Sequence, residues 1–396
     1  MSSADFATAV TKRPQQEVAM PLIASNIKFT QATNPQKVPQ VDSNEIWAQN
    51  VSSDHMLTCQ WTTERGWDAP EIKPVADLNI SPLASCLHYA TQCFEGMKVY
   101  RGFDGKIRLF RPELNAKRLA MSAKCVSLPQ FDADELVKLI MALVQIESPK
   151  WLQKPGSFLY IRPALIGNDA QLGVRVPKKA TLFILLMCWP DFSKSNLRLL
   201  TSRGDAIRAW PGGFGHAKVG ANYGPSFVLH DEAVQAGYDQ VLWLFGPEGQ
   251  VTEAGASNFF AVIRSRETGR HQLLTAPLDE KIILDGVTRR SVIELVKANL
   301  ANELEVVESS FTMSDLQVAW EEGRFLEAFV SGTAFFITKV AAIQYNHQDL
   351  DLPQNDDPIA TNYGSSIRSW LHNIMFGKEQ HEWGVVVDME ASNISY

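Results

Sequence analysis

The chain has 396 residues, 45% of them hydrophobic and 20% charged, with a formal net charge of -7. This length is enough for two or three domains with large cores. No basic run is present, which argues against nucleic acid or anionic membranes as partners. The five scattered cysteines contain no C-x-x-C pair. They favour a reducing compartment over a disulfide framework, and we expect no metal site.

The longest apolar run and the N-terminal residues indicate the cellular compartment that the sequence predicts. The longest apolar run, residues 180–189, is about half of the ~20 residues that a membrane-spanning helix needs. No secretory hydrophobic segment is present at the N-terminus. Residues 1–25 contain Lys12 and Arg13 but also acidic residues, whereas transit peptides are Arg-rich and poor in acids. The sequence therefore predicts a cytoplasmic protein, with a mitochondrial location as the alternative.

Composition and periodicity divide the chain into segments. Residues 1–40 are polar and rich in Pro and Gln, which predicts a flexible N-terminal arm. A smaller α/β domain is predicted over 41–190. The polar stretch that follows predicts an interdomain linker over 191–205, and a larger domain is predicted over 206–396.

Secondary structure in the first half is predicted from alternation and turn signals. Strands are expected over 56–68, 97–101 and 107–110, the last two joined by an Asp104-Gly105 turn. A helix should begin near Pro112, since proline favours the first turn, and a second helix should span 132–147. Further strands are expected over 157–166 and 180–189.

The second half shows the same kinds of pattern. Strands are expected over 240–245, 258–263, 325–330 and 334–340, with a turn at 246–249. Amphipathic periodicity predicts helices over 288–300 and 313–322.

A lysine among glycines is the most informative feature. Lys218 lies in the Gly-rich stretch 212–224, which also holds Tyr223. A partly desolvated lysine has a lowered pKa, and the neutral amine can form a Schiff base with a carbonyl compound or with pyridoxal phosphate (PLP). Tyr223 could then bond the phenolic oxygen of the cofactor. A solvated lysine on a surface loop, with a structural tyrosine in the core, is the alternative.

A lone carboxylate lies on a predicted apolar strand. Glu253 is surrounded by small residues in the stretch 251–258. Buried acids need a partner, and a protonated pyridine nitrogen is a suitable one. An exposed acid at the edge of a hairpin is the alternative.

Two stretches could bind anions. Gly286 and Thr288 open the helix predicted from 288, where free N–H groups and the helix dipole suit phosphate. Residues 331–334, Ser-Gly-Thr-Ala, follow a strand and could form a second anion site. Each of these signals is weak alone, because an ordinary capped helix has the same features.

Tyr160 and Arg162 alternate on one predicted strand, so their side chains share a face and suit a carboxylate. Arg118 could reach a phosphate from the first helix. The alternatives are a structural arginine at an interface for Arg162 and a helix-surface residue for Arg118.

Taken together, these residues resemble the branched-chain amino acid aminotransferases of PLP fold type IV, in their eukaryotic form. The resemblance covers most of the chain from about residue 45 and rests on Tyr89 and on 94–98, 109–112, 160–163, 215–225, 240–243, 251–253, 286–289 and 331–334. It implies a mixed α+β fold of two domains, like that of the D-amino-acid aminotransferases, with 206–396 as the larger, PLP-binding domain. It also implies a homodimer with the active site at the subunit interface.

The resemblance also implies a role for each matching residue. Lys218 would be the catalytic lysine that bonds PLP, with Tyr223 on the phenolic oxygen and Glu253 on the ring nitrogen. Leu284 would lie against the ring. The implied phosphate ligands are Arg118, Gly286, Val287, Thr288 and Thr333. The implied substrate-binding residues are Tyr89, Phe94, Tyr160, Arg162, Leu172, Val174, Thr333 and Ala334, with Leu172 and Val174 coming from the neighbouring subunit.

Some positions depart from the family pattern. A redox C-x-x-C of the animal mitochondrial members is replaced here by Phe335 and Thr338. Ala256 removes a hydroxyl that some members have, and Asp285 replaces a frequent proline. None of these changes alters the predicted chemistry.

The sequence thus predicts transamination of L-leucine, L-isoleucine and L-valine with 2-oxoglutarate. Two alternatives stay open at this point. A relative of the same fold could act on D-amino acids or on aminodeoxychorismate, and a non-catalytic PLP-binding protein would need no turnover.

Overall fold

The computed structural model describes residues 19–192, 196–334, 336–354 and 360–390. In chain order the helices are α1 (Asn44–Trp47), α2 (Ser85–Tyr89), α3 (Pro112–Cys125), α4 (Ala133–Trp151), α5 (Phe227–Gln235), α6 (Val287–Asn299), α7 (Met313–Glu321) and α8 (Tyr363–Met375). The strands are β1 (Lys28–Phe29), β2 (His55–Thr62), β3 (Gly66–Trp67), β4 (Glu71–Pro74), β5 (Gln92–Phe94), β6 (Met97–Arg101), β7 (Ile107–Phe110), β8 (Phe158–Gly167), β9 (Lys179–Met187), β10 (Leu197–Thr201), β11 (Gln240–Phe245), β12 (Gln250–Ala254), β13 (Ser257–Arg264), β14 (His271–Thr275), β15 (Leu304–Glu308), β16 (Phe325–Gly332), β17 (Phe336–Tyr345), β18 (Gln348–Asp351) and β19 (Gly384–Val386).

In the first half of the chain, the turn and helix-start signals lie where the structure forms the predicted elements. Gly105 has φ +80°, so it supplies the left-handed residue of the turn between β6 and β7. Pro112 is the first residue of α3, and the Asp132 carboxylate accepts a hydrogen bond from the Asp134 N–H at the start of α4. The predicted hairpin and both helices are confirmed.

The first sheet is largely antiparallel and runs in the order β1-β4-β2-β9-β8-β6-β7-β19. Helices α3 and α4 pack on one face of it, where Leu119 and Leu139 join Val99 and Ile161 in one buried cluster. The opposite face of β6 carries Lys98 and Tyr100, because side chains alternate along a strand. Tyr100 packs there against Phe376, which follows α8, in a buried cluster that includes residues of the second sheet.

The second sheet closes on itself. Its pairings run β12-β11-β10-β17-β16-β13, and β13 pairs again with β12, while β14, β15 and β18 extend it at the sides. Alternation along β13 places Phe259 with α7 in one cluster and Phe260 with α6 and α8 in another. The mixture of helix and strand agrees with the predicted α+β fold.

Three segment predictions need correction. Residues 19–40 of the predicted arm are docked, since Leu22 and Ile27 are buried and β1 pairs with β4; residues 1–18 lie outside the described part. The predicted linker contains β10, which pairs with β11 and β17 of the second sheet. Strand β19 returns to pair with β7 of the first sheet, so 384–386 lie apart from the predicted larger domain. The two-domain division itself stays a prediction.

Helix α8 was not predicted, although Ile367, Leu371 and Ile374 are buried at helical spacing along it. Its cap is supplied by a distant strand. The Glu327 carboxylate on β16 accepts hydrogen bonds from the N–H groups of Tyr363 and Gly364, both at 3.0 Å, and from the Thr361 hydroxyl at 2.8 Å. Burial raises the pKa of Glu327, and these donors partly offset that effect. Across the described ranges, we find no helix with the length and apolar character to cross a bilayer.

We expect Glu327→Ala to destabilise the protein by about 2 kcal/mol, because three donors at the start of α8 lose their acceptor in a buried place. The measurement is the midpoint of urea unfolding followed by circular dichroism. Glu305→Ala is the control, since Glu305 is exposed on β15 and bonds only the Gln272 amide among the described contacts. Equal midpoints for the two variants would contradict this account of α8.

Candidate active site

The backbone around Lys218 is fixed against the first sheet. The Lys218 carbonyl accepts a hydrogen bond of 3.0 Å from the Phe94 N–H, and its own N–H donates to the Ser122 hydroxyl at 2.8 Å. Its neighbour Val219 is buried and bridges Cys93 of β5. The loop that carries the lysine therefore has a defined position.

Two glycines in this loop allow close contacts. A side-chain carbon on Gly220 would lie 2.5 Å from the Gln92 amide nitrogen, and one on Gly215 would lie 2.5 Å from Ala209 Cβ. Neither distance is sterically possible unless the Gln92 side chain or the segment around Ala209 shifts. These glycines let the loop pack tightly on both sides rather than move freely.

The Lys218 side chain points at two aromatic rings. Its ammonium donates a hydrogen bond of 3.1 Å to the Tyr223 hydroxyl. It also lies 4.8 Å from the centre of the Phe94 ring and 5.2 Å from that of Tyr223. The amine is thus held at one place by a phenol and by apolar faces.

Glu253 is fully buried on β12. One carboxylate oxygen, Oε1, accepts from the Leu284 N–H and from the Asn258 amide, both at 3.1 Å. The other, Oε2, lies 2.6 Å from Arg208 Nη1 but without the angles of a hydrogen bond. Burial raises the pKa of Glu253, and the Arg208 charge opposes that rise. Oε2 is therefore a buried acceptor with an unused hydrogen-bonding site.

A second buried carboxylate holds Arg118. Glu95 receives two hydrogen bonds from Arg118, at 2.6 and 2.8 Å, and a third from the Asn115 amide at 2.8 Å. Burial alone would raise the pKa of Glu95, but the charge and hydrogen bonds of Arg118 outweigh it and lower the pKa. Glu95 thus stays ionised and fixes the direction of the guanidinium.

Arg118 meets the start of α6 through its remaining nitrogen. Arg118 Nη1 donates to the Asp285 carbonyl at 2.8 Å, next to Gly286, which caps the helix. Val287 and Thr288 form the first turn, where backbone N–H groups lack partners within the helix. A guanidinium and a helix N-terminus converge at this place, an arrangement suited to a phosphate.

The turn after β16 forms another part of the anion-binding end of the site. The Thr333 hydroxyl donates to the Gly96 carbonyl at 2.9 Å, which links the second sheet to the first. The Ser331 hydroxyl is buried and has no hydrogen-bond partner among the described residues. Phe335, predicted to exclude a thiol switch, lies outside the described residues.

These groups surround one cavity of about 340 Å³ between the two sheets. Of the predicted site residues it brings together Phe94, Arg118, Tyr160, Arg162, Lys218, Tyr223, Glu253, Leu284, Gly286, Val287, Thr288, Thr333 and Ala334. The lysine lies in the wall of this cavity together with the carboxylate and the anion-binding end.

One wall is aromatic and carries unused N–H groups. Arg162 Nη2 donates to the Tyr160 hydroxyl at 3.0 Å, and Trp189 stacks on the Tyr160 ring at 4.5 Å. Both Trp189 Nε1 and Arg162 Nε are buried and have no hydrogen-bond partner among the described residues. Apolar faces and two N–H donors thus lie side by side.

Three predicted pocket residues lie outside this cavity. The Tyr89 hydroxyl donates to the Leu172 carbonyl at 2.6 Å, on an exposed surface. Leu172 and Val174 are 50% and 86% exposed. The prediction that Tyr89 lines the cavity beside Phe94 is wrong within a single chain, since it shares the surface of the two residues assigned to a neighbouring subunit.

Several lining or supporting residues were not identified from the sequence. Asn258 and Glu95 lie inside the stretches 251–258 and 94–98 that carry the predicted site, but no role was predicted for either residue. Trp189 and Arg208 gave no local signal, because their partners come from distant segments. Where the structure describes the chain, no group of His, Cys, Asp or Glu side chains is arranged to hold a metal ion.

Chemically, the cavity combines an amine nucleophile, a phenol beside it, a buried carboxylate and an anion-binding end. Sequence comparison agrees with this arrangement: residues 92–343 match the model of the class IV amino-transferases. The chain belongs to this family.

Several relatives of this chain are branched-chain-amino-acid aminotransferases. The chain is 40% identical over 375 residues to the cytosolic branched-chain-amino-acid aminotransferase of Saccharomyces cerevisiae, covering 93% of this chain and 98% of the relative. It is 42% identical to the cytosolic enzyme of Mus musculus, with 94% and 96% covered, and 37% identical to the mitochondrial one of S. cerevisiae, with 93% and 94% covered.

Solved structures share the fold. The branched-chain aminotransferase of Thermoproteus uzoniensis with norvaline has a TM-score of 0.66 and 27% identity, over 83% of this chain and 99% of that chain. The branched-chain amino acid aminotransferase of Thermobaculum terrenum in its PLP form has a TM-score of 0.63 and 26% identity, over 83% of this chain and 98% of that chain.

We expect Gly286→Ala to disrupt the site, because its added carbon would lie 2.1 Å from Asn258 Oδ1 and would displace the amide that holds Glu253. The thermal midpoint should fall by several degrees, as after other losses of about 1–3 kcal/mol. Gly204→Ala is the control, since nothing lies within 4 Å of a carbon added there. Similar midpoints for both variants would show that Gly286 is not needed for this packing.

Proposed function

We propose that this chain is a PLP-dependent transaminase that moves the amino group of L-leucine, L-isoleucine or L-valine to 2-oxoglutarate. The products are the branched 2-oxo acids and L-glutamate. The observation that carries the proposal is one constellation: the Lys218 amine donates to the Tyr223 hydroxyl in a cavity that also holds the buried Glu253 carboxylate, whose Oε2 accepts no hydrogen bond among the described residues. The names of the relatives support the substrate class.

The residues present fit PLP at four of its groups: the aldehyde, the phenolic oxygen, the ring nitrogen and the phosphate. Lys218 would bond the aldehyde carbon and Tyr223 the phenolic oxygen. Glu253 Oε2, a buried acceptor without a hydrogen bond, would take the ring N–H, with Leu284 against the ring face. The phosphate would lie at the end formed by Arg118, Gly286, Val287, Thr288 and Thr333. When bound, PLP supplies an electron sink for the charge that develops at the substrate α-carbon.

The protein's own part is to place and move a proton. Lys218 is the base whose free amine can hold the α-proton and return it, and the Tyr223 hydroxyl keeps that amine at a fixed place. The Arg208 charge opposes the rise that burial causes in the pKa of Glu253, which favours the ionised form that its role requires. The backbone at Thr333 and Ala334 would hold the substrate α-carboxylate.

The substrate wall suits both half-reactions. The faces of Phe94 and Trp189 offer apolar contact to a branched side chain. The unpaired N–H groups of Trp189 and Arg162, with the Tyr160 hydroxyl, offer donors to the second carboxylate of glutamate and 2-oxoglutarate. One pocket can therefore accept either kind of side chain without changing its protonation.

The exposed group of Tyr89, Leu172 and Val174 supports a homodimer, because these apolar side chains would complete the pocket of a second copy. Tyr89 and Leu172 are joined by a hydrogen bond, so we infer that Tyr89 is contributed in trans together with the other two.

Lys218→Ala should lower turnover of L-leucine by about 10⁴-fold, because both the covalent attachment and the base are removed. Lys117→Ala, an exposed lysine on α3, is the control and should be unaffected. The assay is formation of glutamate from L-leucine and 2-oxoglutarate. The same assay with D-alanine, and an assay of pyruvate release from aminodeoxychorismate, test the substrate class, and turnover of either one in place of L-leucine would overturn it.

Trp189→Phe should raise KM for 2-oxoglutarate by about 10-fold while KM for L-leucine changes less than about two-fold, since phenylalanine retains the stacking but lacks the N–H. Trp320→Phe is a matched control, because it loses an indole hydrogen bond, to the Asp351 carbonyl, far from the cavity. Equal changes in both KM values would refute the division of roles.

Mixed dimers test the contribution in trans. Lys218→Ala and Val174→Asp should each be nearly inactive alone. Mixing and reassembling the two should restore about a quarter of the wild-type sites, because hybrid dimers contain one site with both residues intact. No recovery, despite hybrid formation seen by native mass spectrometry, would place Val174 in its own chain's site or outside any site.

A further inference from the structure

The proposed phosphate end is built from two helices that belong to different sheets. Helix α3, which carries Arg118, packs mainly in the cluster of the first sheet. Helix α6, which begins at Val287, packs in a cluster of the second sheet that also takes in Phe110 of β7 and Leu114 of α3. The distance between Arg118 and the first turn of α6 therefore depends on contacts that cross between the two helices.

Two sets of polar contacts join α3 to α6, at different positions along the helix axes. At the cavity, Arg118 Nη1 donates to the Asp285 carbonyl. At the other contact, Arg111 makes a two-pronged ion pair with Glu294, at 2.9 and 3.1 Å, and Arg111 Nη1 also donates to the Ser291 hydroxyl at 3.1 Å. Arg111 stands about two turns before Arg118, and Glu294 about two turns after Val287, so the contacts are about 10 Å apart along the helices.

Arg111 is itself held in an unusual conformation. Its φ of 44° is in the left-handed region, which is uncommon for a residue with a side chain. Its N–H donates to the Trp383 carbonyl at 2.9 Å, and its guanidinium lies 4.3 Å from the centre of the Trp383 ring. The segment that carries Trp383 leads directly into β19, which pairs with β7. Arg111 is thus fixed before it reaches α6.

Resting on the proposed function, we propose that Arg111 is a positioning residue for the cofactor phosphate and that it acts through Glu294. Arg111 does not line the cavity. Its role is to hold α6 at the spacing from α3 at which Arg118 and the first N–H groups of α6 can reach one phosphate together. A preformed spacing spares the cost of ordering the two helices when the phosphate binds.

The test measures the dissociation constant of PLP by equilibrium dialysis of Glu294→Gln, Arg111→Met and the double variant. Glu294→Gln should weaken PLP binding by about 3- to 10-fold, and Arg111→Met by about 10-fold or more. The double variant should match Arg111→Met, because the second change removes nothing further. With saturating PLP, kcat should stay within about two-fold of wild type.

Glu322→Gln is the matched control, since Glu322 is a surface carboxylate that pairs with two arginines away from the cavity. The thermal midpoint of the apoprotein separates a spacing role from general destabilisation. Because Glu294 is 46% exposed, we expect Glu294→Gln to fold. This variant alone tests the proposal if Arg111→Met does not fold.

Two outcomes overturn the inference: PLP constants for Glu294→Gln and Arg111→Met equal to those of the control, or independent, multiplying effects in the double variant. Failure of the wild-type chain to bind PLP is a different result, which overturns the proposed function on which the inference rests.

Discussion

Two fully buried carboxylates are the constraint on which the site depends. An ionised carboxylate away from water is stable only when charge and hydrogen bonds compensate it. Glu95 meets this requirement with Arg118, while Arg208 and two amide donors meet it in part for Glu253, whose pKa stays raised. The Glu95 pair fixes the Arg118 guanidinium in the cavity wall, and the Glu253 pair fixes a carboxylate oxygen there.

The fold brings these pairs together because each draws on segments far apart in the chain. Glu95 and Arg118 belong to the first sheet and its helix, while Glu253 lies in the closed ring of the second. Lys218 comes from the segment that leads from β10 to β11 and is fastened to β5. The cavity therefore exists only where the two sheets meet, and residues on both sides must be aligned for it to work. This is the reason that contacts crossing between α3 and α6 matter for cofactor binding.

The sequence was most informative where one residue type already requires a particular environment. A lysine between glycines, an acid on an apolar strand and a glycine before a helix each indicated one group of the site, and the cavity contains all three. The residues that escaped prediction depend on tertiary partners. Arg208 and Trp189 have ordinary sequence surroundings, and the cap of α8 is supplied by Glu327 on another strand. Tyr89 was predicted in the cavity wall but lies on the surface beside Leu172, because local pattern cannot tell a pocket wall from an exposed surface.

The most direct measurement is to reduce the PLP-loaded protein with borohydride, digest it and locate the modified lysine by mass spectrometry. Reduction makes the bond between the cofactor and its lysine permanent. Lys98 is the natural competitor, since it is buried on β6 and burial lowers its pKa to about 8. We expect the cofactor mass on the peptide that contains Lys218. Label on Lys98, or no labelled lysine after PLP loading, would contradict it.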